Sequence, residues 1–205
     1  MLLMAVSFGL GYGLAVYRSG SFPSRRKYVD LSALVAPEWI DQQFLPVGKY
    51  ARSGKKMETV NDVVIHYVAN PGTTAAQNRG YFEGLENQDG TAKTYASCHF
   101  IIGLDGEIVQ IIPMDEKAYA SNDRNSDTVA IECCHPGEDG EFSQETYESL
   151  IRLTAWICSE CGLKEKNVIR HYDVNGKLCP KYYVEHEDAW AQLRKDVKAA
   201  LKEYR

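Results

Sequence analysis

Apolar residues in this chain fall into short runs rich in Val and Ile, separated by polar segments that contain Gly and Pro. The runs at residues 62–68, 128–134 and 168–169 are typical of strands that are buried on both faces of a sheet. Two further runs flank the Asp105-Gly106 turn signal and predict a β-hairpin. The pattern therefore predicts a sheet with a buried centre.

Periodic spacing predicts three helices among these strands. The first is capped by Thr73 or Thr74, and the second begins after Ser143 and ends at Gly162. The third follows the apolar spacing of residues 190–200. Strands mixed with helices, including one hairpin, predict an α/β fold, a single domain with a central mixed β-sheet flanked by helices.

The N-terminal part of the chain predicts a different organisation. Residues 2–17 are almost wholly apolar and are followed by Arg18 and a basic cluster at residues 25–27, which favours a signal peptide or a membrane anchor over residues 1–21. Residues 22–56 contain three prolines and no clear periodicity, which indicates a linker and then an arm laid over the domain. We expect the functional domain to span residues 57–205.

Composition narrows the possible functions. The chain has 205 residues, a mass of 23.0 kDa and a net charge of −5, with no basic run that would indicate a nucleic-acid partner. Its six cysteines do not follow the spacing of a disulfide framework. Cys158 and Cys161 form a CxxC pair that could be redox-active or bind metal, but both lie on an apolar helix stripe, which favours core packing.

Three separate residues suggest a metal site. His171 follows a short strand, and Cys179 comes eight residues later, after an Asn-Gly turn signal. His66 ends another buried run. Two histidines and one cysteine are ligands that Zn²⁺ prefers, and three protein ligands leave a tetrahedral ion one open position, as in catalytic sites. The opposing interpretation is that each histidine is a hydrogen-bonded core residue and the cysteine is inert packing.

The segments around these residues resemble one family. "IRHYDVNGKLCP", "VVIHYVANPG", "YASCHFIIGLDGEIVQIIP" and "RNSDTVAIECCHP" are similar to the blocks of zinc-dependent N-acetylmuramoyl-L-alanine amidases, which share a family with peptidoglycan recognition proteins and amidase-type phage lysozymes. The blocks occur in the family's order and extend from Pro37 to Val197. The resemblance implies a peptidoglycan-recognition-protein-like amidase fold with His66, His171 and Cys179 as zinc ligands.

Two further residues have chemistry that suits an amide hydrolase. Glu132 is a lone carboxylate in an apolar strand, so it should either face a polar cavity or form a structural ion pair. The resemblance favours a position facing the cavity and implies that Glu132 is the catalytic carboxylate. It also puts Lys177 near the scissile carbonyl, where an ammonium could stabilise an oxyanion.

One position departs from the family pattern. Many relatives have a catalytic tyrosine before the histidine of the middle block, and this chain has Cys98 before His99. The catalytic role of that tyrosine is therefore not assigned to Cys98. We interpret His99 as a residue that supports the metal ligands or as a structural one, and not as a ligand. Asp173 is a candidate to orient His171.

The resemblance implies a bacterial cell-wall hydrolase that cuts the bond between the lactyl group of N-acetylmuramic acid and L-alanine of the peptidoglycan stem peptide. Tyr67, Asn70, Arg124 and the loop at residues 119–126 are predicted to line the peptide groove. A substrate outside the cell predicts a secreted or membrane-anchored protein at the cell envelope, and we expect a monomer.

Two rival functions remain open from the sequence. A non-catalytic peptidoglycan-binding module of the same fold would typically lack the cysteine ligand. A zinc-stabilised structural domain would need a fourth protein ligand, which His99 or His135 could supply.

Overall fold

The computed structural model describes residues 29–204, so the apolar segment predicted over residues 1–21 lies outside the described part of the chain. Among residues 29–204, no helix combines the length and apolar character that a membrane span requires.

Within the described residues, six strands form one mixed sheet. In chain order they are β1 (Ile40–Gln42), β2 (Asp62–Tyr67), β3 (Phe100–Ile102), β4 (Ile108–Gln110), β5 (Thr128–Cys133) and β6 (Val168–Arg170). Their order across the sheet is β1-β4-β3-β5-β2-β6. The β3–β4 hairpin is antiparallel, whereas every other neighbouring pair is parallel.

The sequence explains why β2 lies near the middle of the parallel part. Val63, Val64 and Ile65 have no exposed surface, as expected for a strand covered on both faces. In the register of β2 and β5, His66 is paired with Glu132. The carboxyl ends of β2, β5 and β6 therefore meet at one edge of the sheet.

Helices cover both faces of the sheet. They are α1 (Ala75–Gly84), α2 (Gln144–Glu160), α3 (His171–Asn175), α4 (Lys181–Glu185) and α5 (Glu187–Ala200). Apolar residues of α2 and α5 share one buried cluster with the inward side chains of β2, and α1 contributes to a second cluster on the opposite face. Each fully buried Leu or Ile in these clusters contributes roughly 1.5–3 kcal/mol.

Most of the predicted elements are confirmed. The strands at residues 62–68 and 128–134, the hairpin around Asp105-Gly106 and the helices capped by Thr74 and Ser143 are all present. Three elements differ. The edge strand β1 and the short helix α4 were not predicted, and the short helix α3 stands where only a turn was expected after His171.

The described part of the N-terminal arm is attached to the domain by more than β1. The Glu86 carboxylate accepts hydrogen bonds from the backbone N–H groups of Lys49, Tyr50 and Ala51, at 2.9, 2.6 and 3.0 Å. Further along the arm, Arg52 forms a two-point ion pair with Glu116 at 2.7 and 2.9 Å. These contacts hold the arm beside the edge strands.

Candidate metal centre and active-site cavity

Three buried side chains from distant parts of the chain converge at the carboxyl edge of the sheet. His66 lies at the end of β2, His171 begins α3 directly after β6, and Cys179 follows the left-handed Gly176 that ends α3. One ligand atom from each lies within 4.8 Å of the others. Cys179 Sγ is 3.8 Å from His66 Nδ1, and the two imidazole centroids are 4.7 Å apart. The predicted trio is thus assembled.

The donors at this point fit a zinc ion. His171 Nδ1 is buried, and no described residue gives it a hydrogen bond, whereas its Nε2 lies 2.9 Å from Asn122 Oδ1. A buried ring nitrogen without a partner costs about 1–3 kcal/mol unless something else uses its lone pair. Two imidazole nitrogens and one sulfur form a common zinc donor set, with ligand atoms roughly 3.3–3.8 Å apart in a tetrahedral site.

The charge states of the trio also suit a metal. Burial lowers the pKa of His66 well below its usual value, and repulsion from Lys177, and from His171 when that ring is protonated, adds to the shift. Burial, with the charge of Lys177, lowers the pKa of His171 to about 4. Both imidazoles are therefore neutral near pH 7, which is the form that binds metal. Burial and the negative charge of Glu132 raise the pKa of Cys179 to about 12, so a metal would have to displace its proton.

Glu132 supplies a carboxylate beside the trio. Its Oε1 lies 4.0 Å from His66 Nδ1, and its Oε2 is buried without a hydrogen-bond partner among the described residues. Burial raises the pKa of Glu132 to about 8, although the charge of Lys177 opposes the shift. A carboxyl group that gains and loses a proton near neutral pH can act as a general acid and base. Glu132 faces the cavity rather than a structural ion pair with Lys or Arg.

A cavity of about 740 Å³ opens over these residues, and His66, Glu132 and His171 are part of its lining. The exposed Lys177 and the half-exposed Tyr95 also line it. The lining also includes Ala96, Ser97, Tyr119, Ala120, Asn122, Asn125, Asn175 and Gly176. Four residues of the loop at residues 119–126 thus line this cavity, its role as the wall of a peptide groove stays a prediction, and Tyr95 was not predicted.

Three residues predicted to bind substrate do not line this cavity. The Tyr67 ring packs against His135, with centroids 5.2 Å apart, and Asn70 is exposed at the turn before α1. The Arg124 guanidinium donates to Asp127 at 2.8 Å and to Asp62 at 2.6 Å. Because two carboxylates already pair with it, Arg124 has a structural role in this geometry.

Three residues near the trio, His99, Cys98 and Asp173, have contacts that bear on their predicted roles. His99 is structural as predicted, because its Nε2 lies 2.9 Å from the Glu116 carbonyl and its Nδ1 accepts from the Ala130 N–H at 3.0 Å. Cys98 is fully buried and outside the cavity lining. The prediction that Asp173 orients His171 is wrong, because its carboxylate binds Arg170 at 2.8 Å.

Three residues that touch the histidines were not assigned from the sequence. Asn122 and Asn175 contact His171, and Ser121 Oγ lies 3.4 Å from His66 Nε2. Ser121 and Asn122 lie in a polar loop without periodicity, and the only signal for them was the predicted position of that loop beside the groove. The structure adds all three to the site.

Comparison with known proteins agrees with this geometry. Residues 56–182 match the family model described as N-acetylmuramoyl-L-alanine amidase. The chain is 31% identical over 172 residues to the N-acetylmuramoyl-L-alanine amidase CwlL of Bacillus licheniformis, covering 78% of this chain and 47% of that protein. It is 31% identical over 179 residues to BlyA of Bacillus subtilis (strain 168), an N-acetylmuramoyl-L-alanine amidase, covering 77% and 46%. The chain thus spans about half the length of these relatives.

Solved structures support the same fold. A mutant endolysin from Bacillus subtilis has a TM-score of 0.63 and 29% sequence identity, with 77% of this chain and 97% of that chain covered. The predicted architecture, a central mixed sheet flanked by helices of the amidase type, is confirmed by this similarity and by the topology.

Proposed function

Because the chain belongs to the N-acetylmuramoyl-L-alanine amidase family, we propose that it is a zinc-dependent hydrolase of peptidoglycan. The bond cut would be the amide between the lactyl group of N-acetylmuramic acid and L-alanine of the stem peptide. The observation that carries this proposal is the partly buried carboxylate of Glu132, which lies 4.0 Å from His66 Nδ1 and lines an open cavity.

In this proposal His66, His171 and Cys179 hold the metal. When bound, zinc supplies Lewis-acid polarisation of the scissile carbonyl and activation of water. Three protein ligands leave room for substrate, as a catalytic site requires.

Glu132 moves the protons of the reaction. Its carboxylate takes a proton from the attacking water as a C–O bond forms at the lactyl carbonyl carbon. The same carboxyl group then gives a proton to the L-alanine nitrogen as the C–N bond breaks, so that a carboxylic acid and an amine are the products. Lys177, across the cavity, would stabilise negative charge that develops on the carbonyl oxygen. Its charge also favours the ionised form of Glu132.

The two rival functions have less support. A structural zinc site needs a fourth protein ligand, but among the described residues the metal-binding group has three members and includes neither His99 nor His135. His99 uses both ring nitrogens on the backbone, and His135 Nδ1 lies 2.7 Å from the Gly137 carbonyl. A binding module without catalysis needs neither Cys179 nor an unpaired Glu132. Peptidoglycan lies outside the cytoplasm, so we further propose that the protein acts at the cell envelope.

Digestion of purified peptidoglycan tests the proposal. Mass analysis should detect free stem peptides that begin with L-alanine, and a chelator should abolish their release. The Cys179→Ala variant should lose zinc and activity, while Glu138→Gln, an exposed substitution outside the cavity lining, should retain both. Release of reducing sugar ends alone, or binding to peptidoglycan without new amino termini, would reject the amidase function.

A further inference from the structure

One loop contacts the outer nitrogens of both candidate metal-binding histidines. Ser121 Oγ lies 3.4 Å from Nε2 of His66, and Asn122 Oδ1 lies 2.9 Å from Nε2 of His171. The contact between Asn122 and His171 is the shorter of the two. His171 is also the imidazole whose Nδ1 is buried and has no hydrogen-bond partner among the described residues. This loop is therefore placed to decide which nitrogen of His171 carries the proton.

The hydrogen-bond chain behind Asn122 fixes the direction of each bond. The backbone N–H of Lys177 can only donate, so the Asn175 atom 3.1 Å from it must be the oxygen Oδ1. The other amide atom of Asn175 is then Nδ2, which donates to Asn122 at 2.9 Å. Asn122 therefore accepts through its oxygen, and the facing Nε2 of His171, 2.9 Å away, carries the hydrogen. Asn175 Nδ2 also lies 3.4 Å from this Nε2, but its contact with the Asn122 oxygen is the shorter one and takes its hydrogen. The Nε2-protonated tautomer leaves the Nδ1 lone pair unprotonated.

The backbone of the loop is held in an uncommon conformation. Asn122 has a φ of +52°, in the left-handed region that Gly, Asn and Asp tolerate best. The Asn125 side chain accepts from the N–H groups of Ala120 and Ser121 at 2.9 and 2.6 Å, which keeps the loop in place. Such a conformation persists only where neighbouring contacts maintain it.

From these contacts we propose that Asn122 is a positioning residue for the metal centre. It holds His171 as the Nε2-protonated tautomer and sets the orientation of its ring, so that Nδ1 is presented toward Cys179 and His66. Partners that fix a histidine ligand in this way raise metal affinity by about 10–100-fold. The proposal rests on the proposed function only in assuming that the metal is zinc.

Zinc affinity, measured by competition with a chromophoric chelator, tests the role. Asn122→Gly keeps the left-handed backbone and removes the amide, so affinity should fall by about 10–100-fold. Asn122→Asp supplies another acceptor and should restore affinity close to that of the natural protein. Ala69→Gly is the matched control, because Ala69 also has a positive φ, of 53°, and lies outside the cavity lining.

A second measurement is independent of zinc. Long-range ¹H–¹⁵N NMR spectra of the metal-free protein report which imidazole nitrogen is protonated, and His171 should be protonated on Nε2. An Nδ1-protonated His171 in the natural protein would overturn the proposal, even if Asn122→Gly fails to fold. Equal zinc affinity in the natural protein and Asn122→Gly would also overturn it. Absence of zinc binding by the natural protein, with the predicted tautomer observed, would instead reject the zinc-dependent function.

Discussion

Glu132 and His66 stand side by side on the parallel strands β5 and β2, with Oε1 of the carboxylate 4.0 Å from Nδ1 of the imidazole. The carboxylate is thus close to the candidate metal site without being one of its three donors. A substitution at Glu132 can therefore remove proton transfer and leave the three metal-binding side chains in place.

The first prediction concerns Glu132→Gln. The amide keeps the size of the side chain but cannot transfer a proton, so turnover should fall by roughly 10²–10⁴ while zinc content stays unchanged. Peptidoglycan digestion and metal analysis of the same sample would measure both quantities. Loss of zinc in this variant would mean that Glu132 is a ligand.

The second prediction concerns Cys98, which stands where many relatives have tyrosine. Its side chain is fully buried among apolar residues on the α1 side of the sheet, and burial raises the pKa of its thiol well above the usual value. Cys98→Ala should leave turnover nearly unchanged and lower the free energy of unfolding by about 1 kcal/mol. A fall in turnover as large as that of Glu132→Gln would assign Cys98 a chemical role.

The third prediction concerns the cavity wall. Tyr95 is 48% exposed, and its ring contacts Tyr119 and Tyr50 at centroid distances of 5.7 and 5.2 Å. Since an exposed aromatic ring can bind substrate without taking part in bond breaking, Tyr95→Ala should raise KM and leave kcat little changed. Tyr81→Ala is a matched control, because Tyr81 is 55% exposed and lies outside the cavity lining. Equal effects of the two substitutions would contradict the prediction.

The fourth prediction concerns stability and pH. Arg52 donates hydrogen bonds to Glu116 and holds the pKa of that carboxyl below its usual value, although burial opposes the shift. A depressed pKa adds stability that is present above the unfolded-state pKa and lost as the pH falls through the folded-state pKa. Glu116→Gln should therefore lower the free energy of unfolding by about 1–3 kcal/mol at pH 7.

Denaturant unfolding at several pH values would measure the difference in free energy of unfolding between the natural protein and Glu116→Gln. This difference should shrink as the pH falls below about 4. Glu83→Gln is the control, because Glu83 pairs with Arg79 on the exposed face of α1 and should cost no more than about 0.5 kcal/mol. A pH-independent difference for Glu116→Gln would show that its ion pair is not the cause.

The convergence of His66, His171 and Cys179 could be predicted because each lies at the end of an apolar run or after a turn signal, and parallel strands bring such ends to one edge of the sheet. Their assignment as ligands, and that of Glu132 as the proton carrier, came from the resemblance and stays a prediction. The capping residues of α1 and α2 were also predictable, since Thr74 and Ser143 bond to backbone atoms three residues away.

Other features depend on contacts that the sequence does not encode locally. The role of Asn122 is set by His171 and Asn175, about fifty positions later. Arg124 looked available for a substrate carboxylate, but Asp62, which is distant in sequence, pairs with it. Strand β1 has only three residues, and its pairing with β4 is decided by the arm's attachment to the domain.

The contact between His66 and Cys179 joins positions 113 residues apart, and its consequence concerns the order of folding. Contacts of such separation carry a large loop-closure entropy and form late, after the local hairpins and helices. During synthesis His66 leaves the ribosome long before the segment that contains His171 and Cys179. A growing chain can thus bury much of its sheet while the candidate metal centre is still incomplete, and the three side chains come together only after the last strand docks.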